Sequence, residues 1–235
     1  MIRLLALLAF LGAPAAAEEA CRGVEHRGKP FTVCSADLSE HRIDLHLRDA
    51  AGAVLGEFAA LPGDTLFAMN AGMYHPDRRP VGLYVEDGAE AARIVTSHGP
   101  GNFGMLPNGV FCIGDDAARV IESRAYAADP PACRDATQSG PMLLIDGAVH
   151  PRFIADSTFT NLRNGVGVSP DGGLAHFAIS DRPVTFHEMA TLFRDELGVR
   201  DALYFDGRVS RLFAPGIGRD DPGRRMGPIV AVSPR

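Results

Sequence analysis

Five short segments set polar or charged side chains beside glycine at the end of an apolar run, where a rigid scaffold can offer them to a ligand. They are ALYFDGRVSR (Ala202–Arg211), MNAGMYH (Met69–His75), NFGMLPNGVF (Asn102–Phe111), TQSGPMLLIDG (Thr137–Gly147) and NLRNGVGV (Asn161–Val168). The first places a carboxylate, a hinge and a guanidinium side by side as Asp206-Gly207-Arg208. A carboxylate can activate water, and an arginine fork can hold an oxyanion bidentately. Amides and hydroxyls across the five segments, among them Asn70, Asn108, Gln138, Ser139, Asn164 and Ser210, can hydrogen-bond sugar hydroxyls and phosphate oxygens, and Gly72, Gly140 and Gly207 let backbone approach a ligand closely. Each segment alone reads as a strand-end turn; five in one chain point to a common cleft. Asp146-Gly147 is set apart, because it fits a plain turn between Leu144-Ile145 and Ala148-Val149.

Other chemistries find less support. Ser139 sits in Q-S-G-P, which is not the strained G-x-S-x-G elbow of a nucleophilic serine. The eight histidines form no H-x-H or H-E-x-x-H pair, and no glycine-rich stretch matches a phosphate loop or dinucleotide fingerprint. His176 lies in an apolar run and reads as a satisfied interior residue, whereas His75 and His98 fall in loops that could reach a site. Gly114–Asp116 and Arg219–Gly223 read as solvated turns. No metal ligand is assigned and no cofactor is predicted, although Asp and Asn loops are compatible with a divalent cation such as calcium.

The elements that would position these residues are mostly strands. Ile43, Leu45 and Leu47 alternate with polar neighbours at the period of a half-buried strand. Further strands are predicted at Thr65–Met69, Val81–Val85, Ala92–Val95, Val110–Ile113, Val120–Glu122 and Met142–Ile145. GVGVSPDGGLAHFAIS reads as a hairpin turning at Pro170–Gly173. One helix is well specified: Thr185 and Glu188 form a capping box, Phe186, Met189, Ala190, Phe193 and Leu197 share a face, and Gly198 stops it. The predicted fold is one α+β domain, strand-rich, with mixed sheets and a few helices.

The 235-residue chain carries a formal charge of −6, which leaves no basic face for nucleic acid. Residues 1–17 have one early arginine, an apolar run and Ala15-Ala16-Ala17, the pattern of a signal peptide cleaved after Ala17. Residues 18–235 then form the exported domain, with no further run long enough to span a membrane. Cys21, Cys34, Cys112 and Cys133 suit disulfides in such a compartment, and the pairing Cys21–Cys34 and Cys112–Cys133 is favoured because both close short loops.

In order, NAGMYHPDRRPVGLYVEDG, GNFGMLPNGVF, ATQSGPMLLIDGAVHPRF, RNGVGVSPDGGLAHFAIS and ALYFDGRVSRLF resemble the phosphodiester glycosidase domain family, from about Thr65 to Phe213. That family includes the animal uncovering enzyme, which removes N-acetylglucosamine from phosphodiester-linked mannose. In the uncovering-enzyme branch the aspartate is followed by a run of glycines and a serine; here Arg208 and Val209 interrupt that run before Ser210, so this chain is similar to the shorter bacterial branch. The resemblance implies hydrolysis of a sugar-1-phosphodiester or phosphoglycan in the periplasm or outside the cell. It implies Asp206 as the carboxylate at the anomeric centre, Arg163 and Arg208 as phosphate ligands, and Asn70 and Gln138 on sugar hydroxyls. The Ser139-Gly140 backbone would close on the ligand, with Gly72, Asn108, Asn164, Gly207 and Ser210 completing the cleft. A phosphoglycan-binding module without turnover and a metal-dependent phosphodiesterase are the alternatives.

Overall fold

The computed structural model describes residues 20–207 and 209–235; residues 1–17, read above as a signal peptide, and Arg208 lie outside them. Among the described residues the strands form three sheets of seven, five and five strands. The first sheet runs, in spatial order, Cys21–His26 (β1), Lys29–Asp37 (β2), Leu174–Ser180 (β13), Asn164–Val168 (β12), Asp201–Tyr204 (β14), Met142–Ile145 (β10) and Ala148–Val149 (β11). The second runs Arg219–Asp220 (β16), Leu212–Ala214 (β15), Phe67–Asn70 (β4), Ile229–Pro234 (β17) and His41–His46 (β3). The third runs Ala89–Ala92 (β6), Tyr84–Glu86 (β5), Asp135–Ser139 (β9), Gly109–Ile113 (β7) and Ala118–Glu122 (β8). The strand-rich single domain agrees with the sequence reading, but the expected mixed sheets do not form: each named pairing among the described residues is antiparallel. Periodicity reports which face of a strand is buried, and says nothing of its direction relative to a neighbour.

The sheets meet around an aromatic cluster to which each contributes. Phe177 of β13 packs edge-on against Phe67 of β4 at 5.5 Å and Phe111 of β7 at 5.8 Å, and Phe111 in turn meets Phe205 at 6.3 Å. Edge-to-face packing matches the positive ring edge to the negative face. The opposite face of the seven-stranded sheet is covered by the helix Phe186–Asp195 (α2), through Met189, Leu192 and Phe193. Its capping box is present as predicted: the Glu188 amide donates to Thr185 Oγ1 at 3.1 Å and the Thr185 amide to Glu188 Oε2 at 2.7 Å. A second helix, Ser123–Ala128 (α1), is capped by the Glu122 carboxylate. Among the described residues no helix is long and apolar enough to cross a membrane.

Both disulfides form as paired in the sequence reading. Cys21–Cys34 joins β1 to β2 at directly opposed positions, and Cys112–Cys133 ties β7 to the approach to β9. Two strands at one side of the third sheet depart from expectation. The strand predicted at Ala92–Val95 is observed at Ala89–Ala92, and that at Val81–Val85 at Tyr84–Glu86. The cause is Gln138, whose Oε1 accepts the amides of Leu83 and Val95, both at 3.0 Å, while Nε2 donates to the Val95 carbonyl at 2.6 Å. One carboxamide takes the place that a strand backbone would fill.

Candidate active site

Strand β14 follows α2 closely and ends at Tyr204; β15 begins at Leu212. Between them the Phe205 amide donates to the Asn164 carbonyl of β12 at 3.1 Å, and the described residues that follow, as far as Arg211, need partners from side chains. Each sheet sends one buried side chain. Asn164, at the start of β12, accepts the Asp206 amide at 3.4 Å and the Ser210 hydroxyl at 3.2 Å. Asn70, at the end of β4, accepts the Arg211 amide at 3.0 Å and donates to the Asp206 carbonyl at 3.5 Å. Ser139, ending β9, donates to the Phe205 carbonyl at 2.6 Å. The two asparagines also clasp each other, Asn164 Nδ2 donating to the Asn70 carbonyl and to its Oδ1, both at 3.1 Å. Ser210 completes the knot by donating to the Asp206 carbonyl at 2.7 Å.

That clamp presents the Asp206 carboxylate to a cavity of about 380 Å³. Tyr74, His75, Pro76, Arg78, Val209, Arg224 and Arg225 line it with Asp206. The Tyr74 hydroxyl is pushed up mainly by burial and further by the Asp206 charge. The Tyr204 hydroxyl is also pushed up, again by burial first, with the Arg163 guanidinium opposing and Asp206 adding to the rise. The carboxylate therefore lies within electrostatic reach of both phenols. Arg78 lies 5.4 Å from the Tyr74 ring centre, while Arg225 donates to the Val54 carbonyl at 2.6 Å. A cavity lined by three arginines and one aspartate suits a ligand with an anionic part and a centre that develops positive charge.

Arg163 occupies a different place from the one expected of a phosphate ligand. It is fully buried, donating from Nε to the Val184 carbonyl at 2.9 Å and from Nη2 to the Phe159 carbonyl at 3.4 Å. Its guanidinium lies 3.6 Å from the Phe186 ring centre and 5.6 Å from that of Tyr204. Burial pulls its pKa below the usual arginine range. Stacking on these rings draws it beneath the loop, and only Nη1 has no hydrogen-bond partner among the described residues. It braces the floor of the site and offers no bidentate fork.

The groups expected to read sugar hydroxyls have protein partners in this structure. The carboxamides of Asn70 and Asn164 are occupied by the loop and by each other, and that of Gln138 by Leu83, Val95 and Ser123. Asn108 is buried, with Nδ2 on the Phe103 carbonyl at 2.9 Å and Oδ1 without a partner among the described residues. Gly72 packs on the Gln138 carbonyl and Gly140 on Asn108, so their missing side chains admit protein, not ligand. Ser139 and Ser210 hold the loop. Gly207 lies directly against the Tyr204 hydroxyl. Asp206 is the expected site residue that the structure leaves facing the cavity; Arg208 lies outside the described residues. His75 lines the cavity, as its loop position allowed, whereas exposed His98 does not. His176 is satisfied by Ser35, at 2.8 Å.

Tyr74, Arg78, Arg224 and Arg225 were not foreseen as site residues, although Tyr74 belongs to a segment the sequence singles out. Arg224 and Arg225 reach the cavity from a Gly- and Pro-flanked stretch with no local signal. Arg219–Gly223, expected as a solvated turn, instead opens on β16, with Arg219 paired to Asp181 at 2.5 Å and to Asp221 at 3.0 Å. Among the described residues no three His, Cys, Asp or Glu side chains gather as a metal site would require.

Comparison with known proteins gives three findings. The phosphodiester glycosidase family profile matches residues 63–231. The uncharacterized protein YigE of Escherichia coli K12 is 32% identical over 181 residues, covering 74% of this chain and 70% of that protein. The catalytic domain of zebrafish N-acetylglucosamine-1-phosphodiester alpha-N-acetylglucosaminidase, solved in a state auto-inhibited by its pro-peptide, superimposes with a TM-score of 0.61 at 14% identity, over 92% of this chain and 82% of that one. The last likeness is one of fold.

Proposed function

We propose that this chain, which belongs to the phosphodiester glycosidase family, hydrolyses the anomeric C–O bond of a sugar carried as a 1-phosphodiester. The products are the free sugar and a phosphomonoester. One observation supports the reading most: Asp206, on a loop whose backbone is clamped by side chains of all three sheets, faces a cavity rimmed by Arg78, Arg224 and Arg225.

Water adds to the anomeric carbon while its bond to the ester oxygen breaks, and the electron pair stays on the departing phosphate. Asp206 accepts the proton from that water and faces the oxocarbenium-like centre. The arginines stabilise charge gathering on the phosphate, which is already a good leaving group and has little need of a strong general acid. Arg163 acts through Tyr204 and the loop above it as a positioning residue. The disulfides and the amino-terminal pattern support export, and we place the enzyme in the periplasm.

The test incubates the mature protein with a panel of sugar-1-phosphodiesters in isotope-labelled water, beside Asp206→Asn. Free sugar bearing the label, lost in Asp206→Asn, is the expected result. Label in the phosphate would mean P–O cleavage and a phosphodiesterase. Saturable binding without product would mean a binding module.

A further inference from the structure

Among the described residues four large apolar side chains stand exposed, and three belong to the segment between β11 and β12: Ile154 (65% exposed), Phe159 (67%) and Leu162 (42%). The segment is braced. Asn161 and Val184 exchange backbone hydrogen bonds at 3.1 and 2.8 Å, the Phe159 carbonyl accepts Arg163 Nη2, and Phe153 is turned inward onto Phe186 at 4.8 Å. Ile154 and Phe159 are thus held outward by a chain whose neighbours are fixed, and a hydrophobic surface displayed in this way marks an interaction site.

Its position gives that surface a meaning. Asp206 and Val209 face the cationic cavity, whereas Gly207 and Ser210 pack on the Leu162 carbonyl, Ser210 Oγ donating to it at 3.2 Å. One short loop therefore separates an arginine-lined cavity from an apolar segment. A phosphodiester has two ester arms. With the sugar arm and the anion in the cavity, the second arm crosses this loop and arrives at the segment that carries Leu162, Phe159 and Ile154. Cationic cavity and apolar surface together complement an amphiphile with an anionic head and a hydrocarbon tail.

We propose that the substrate's second arm is a hydrocarbon chain, so that the enzyme removes sugar from a lipid-linked sugar phosphodiester, and that Ile154, Phe159 and Leu162 seat the chain. This deepens the proposed function and rests on it. The test compares kcat/KM for methyl and octyl phosphodiesters of whichever panel sugar is turned over fastest, free of detergent and below the aggregation concentration of the octyl compound. Wild type should prefer octyl by about ten-fold or more, the effect of burying roughly two methylenes. In the variant I154S/F159S the preference should fall below about two-fold, with the methyl rate unchanged, since both residues are exposed. Equal rates in wild type, or a preference that survives in the variant, overturns the lipid proposal while leaving the glycosidase reading intact. Turnover of no panel member removes both.

Discussion

The packing of Gly207 within the loop that carries Asp206 offers the sharpest check on this architecture. A Cβ added there would overlap the Tyr204 hydroxyl oxygen and stand 3.1 Å from the Leu162 carbonyl and 3.3 Å from Tyr204 Cζ. Neither neighbour is free to yield. Tyr204 is buried and packed edge-on to Phe186 at 4.8 Å, and the Leu162 carbonyl accepts the Ser210 hydroxyl. Forcing one methyl into such a contact costs about 1–3 kcal/mol. At about 2 kcal/mol, a domain of this size loses roughly 4–8 °C in melting temperature. Activity should suffer more, because the methyl displaces the residue next to Asp206, and a misplacement near 1 Å costs about 100-fold in rate. Tyr204→Phe removes the overlapping atom and leaves a ring carbon at 3.3 Å, a tight contact that a shift of a few tenths of an ångström relieves. In that background Gly207→Ala should cost about 1 kcal/mol or less, so the double-mutant cycle should show a favourable coupling of at least about 1 kcal/mol. Urea unfolding and turnover of the best panel substrate supply both readouts. Strictly additive costs would refute the assignment of Gly207 to a steric need imposed by Tyr204.

Asp206→Asn should lower turnover by about 10²–10⁴-fold, the usual worth of a positioned general base, with the thermal midpoint retained. Arg224→Ala should raise KM about 10-fold or more, the loss of one charged hydrogen bond, and should make that KM less sensitive to salt. Burial depresses the pKa of His150 and His176 below the ordinary value of 6.5, so the unfolded chain takes up their protons first on acidification. Their contribution is therefore complete above pH 6.5 and is lost below it; the urea midpoint should fall from pH 7 to pH 5.5, with a shallower slope in His150→Asn. Replacing Cys112 and Cys133 by serine together should cost about 3 kcal/mol of stability, the entropy of closing a loop of that length, read by denaturant unfolding.

What the sequence discloses here is mostly local. The capping box of α2, the Pro170–Gly173 turn, the Asp146-Gly147 turn and the short disulfide loops each depend on neighbours within a few residues, and each is found as read. The common cleft was legible only in outline. Asn70, Ser139, Asn164 and Ser210 do converge with Asp206, yet they satisfy backbone and one another where a ligand was expected. An amide beside glycine has the same spelling in either role; burial decides between them, and burial is tertiary. The cationic rim illustrates the other limit. Arg78 and Arg224 are brought to one cavity from distant parts of the chain, and no periodicity records that meeting. Gln138 hid for a third reason: a side chain that stands in for a strand shifts the strands beside it, so the error appeared as misplaced boundaries.

The loop that carries Asp206 is fastened by Asn164, Asn70 and Ser139, one from each sheet. None of these fastenings exists until the sheet that supplies it has docked. The site is consequently a property of the finished domain: a folding intermediate with two sheets in place would hold the whole amino-acid composition of the site and none of its alignment. Alignment of the site and cooperative folding are thereby locked to one event, and local breathing of any sheet edge that reached these three residues would undo that alignment before the rest of the molecule opened.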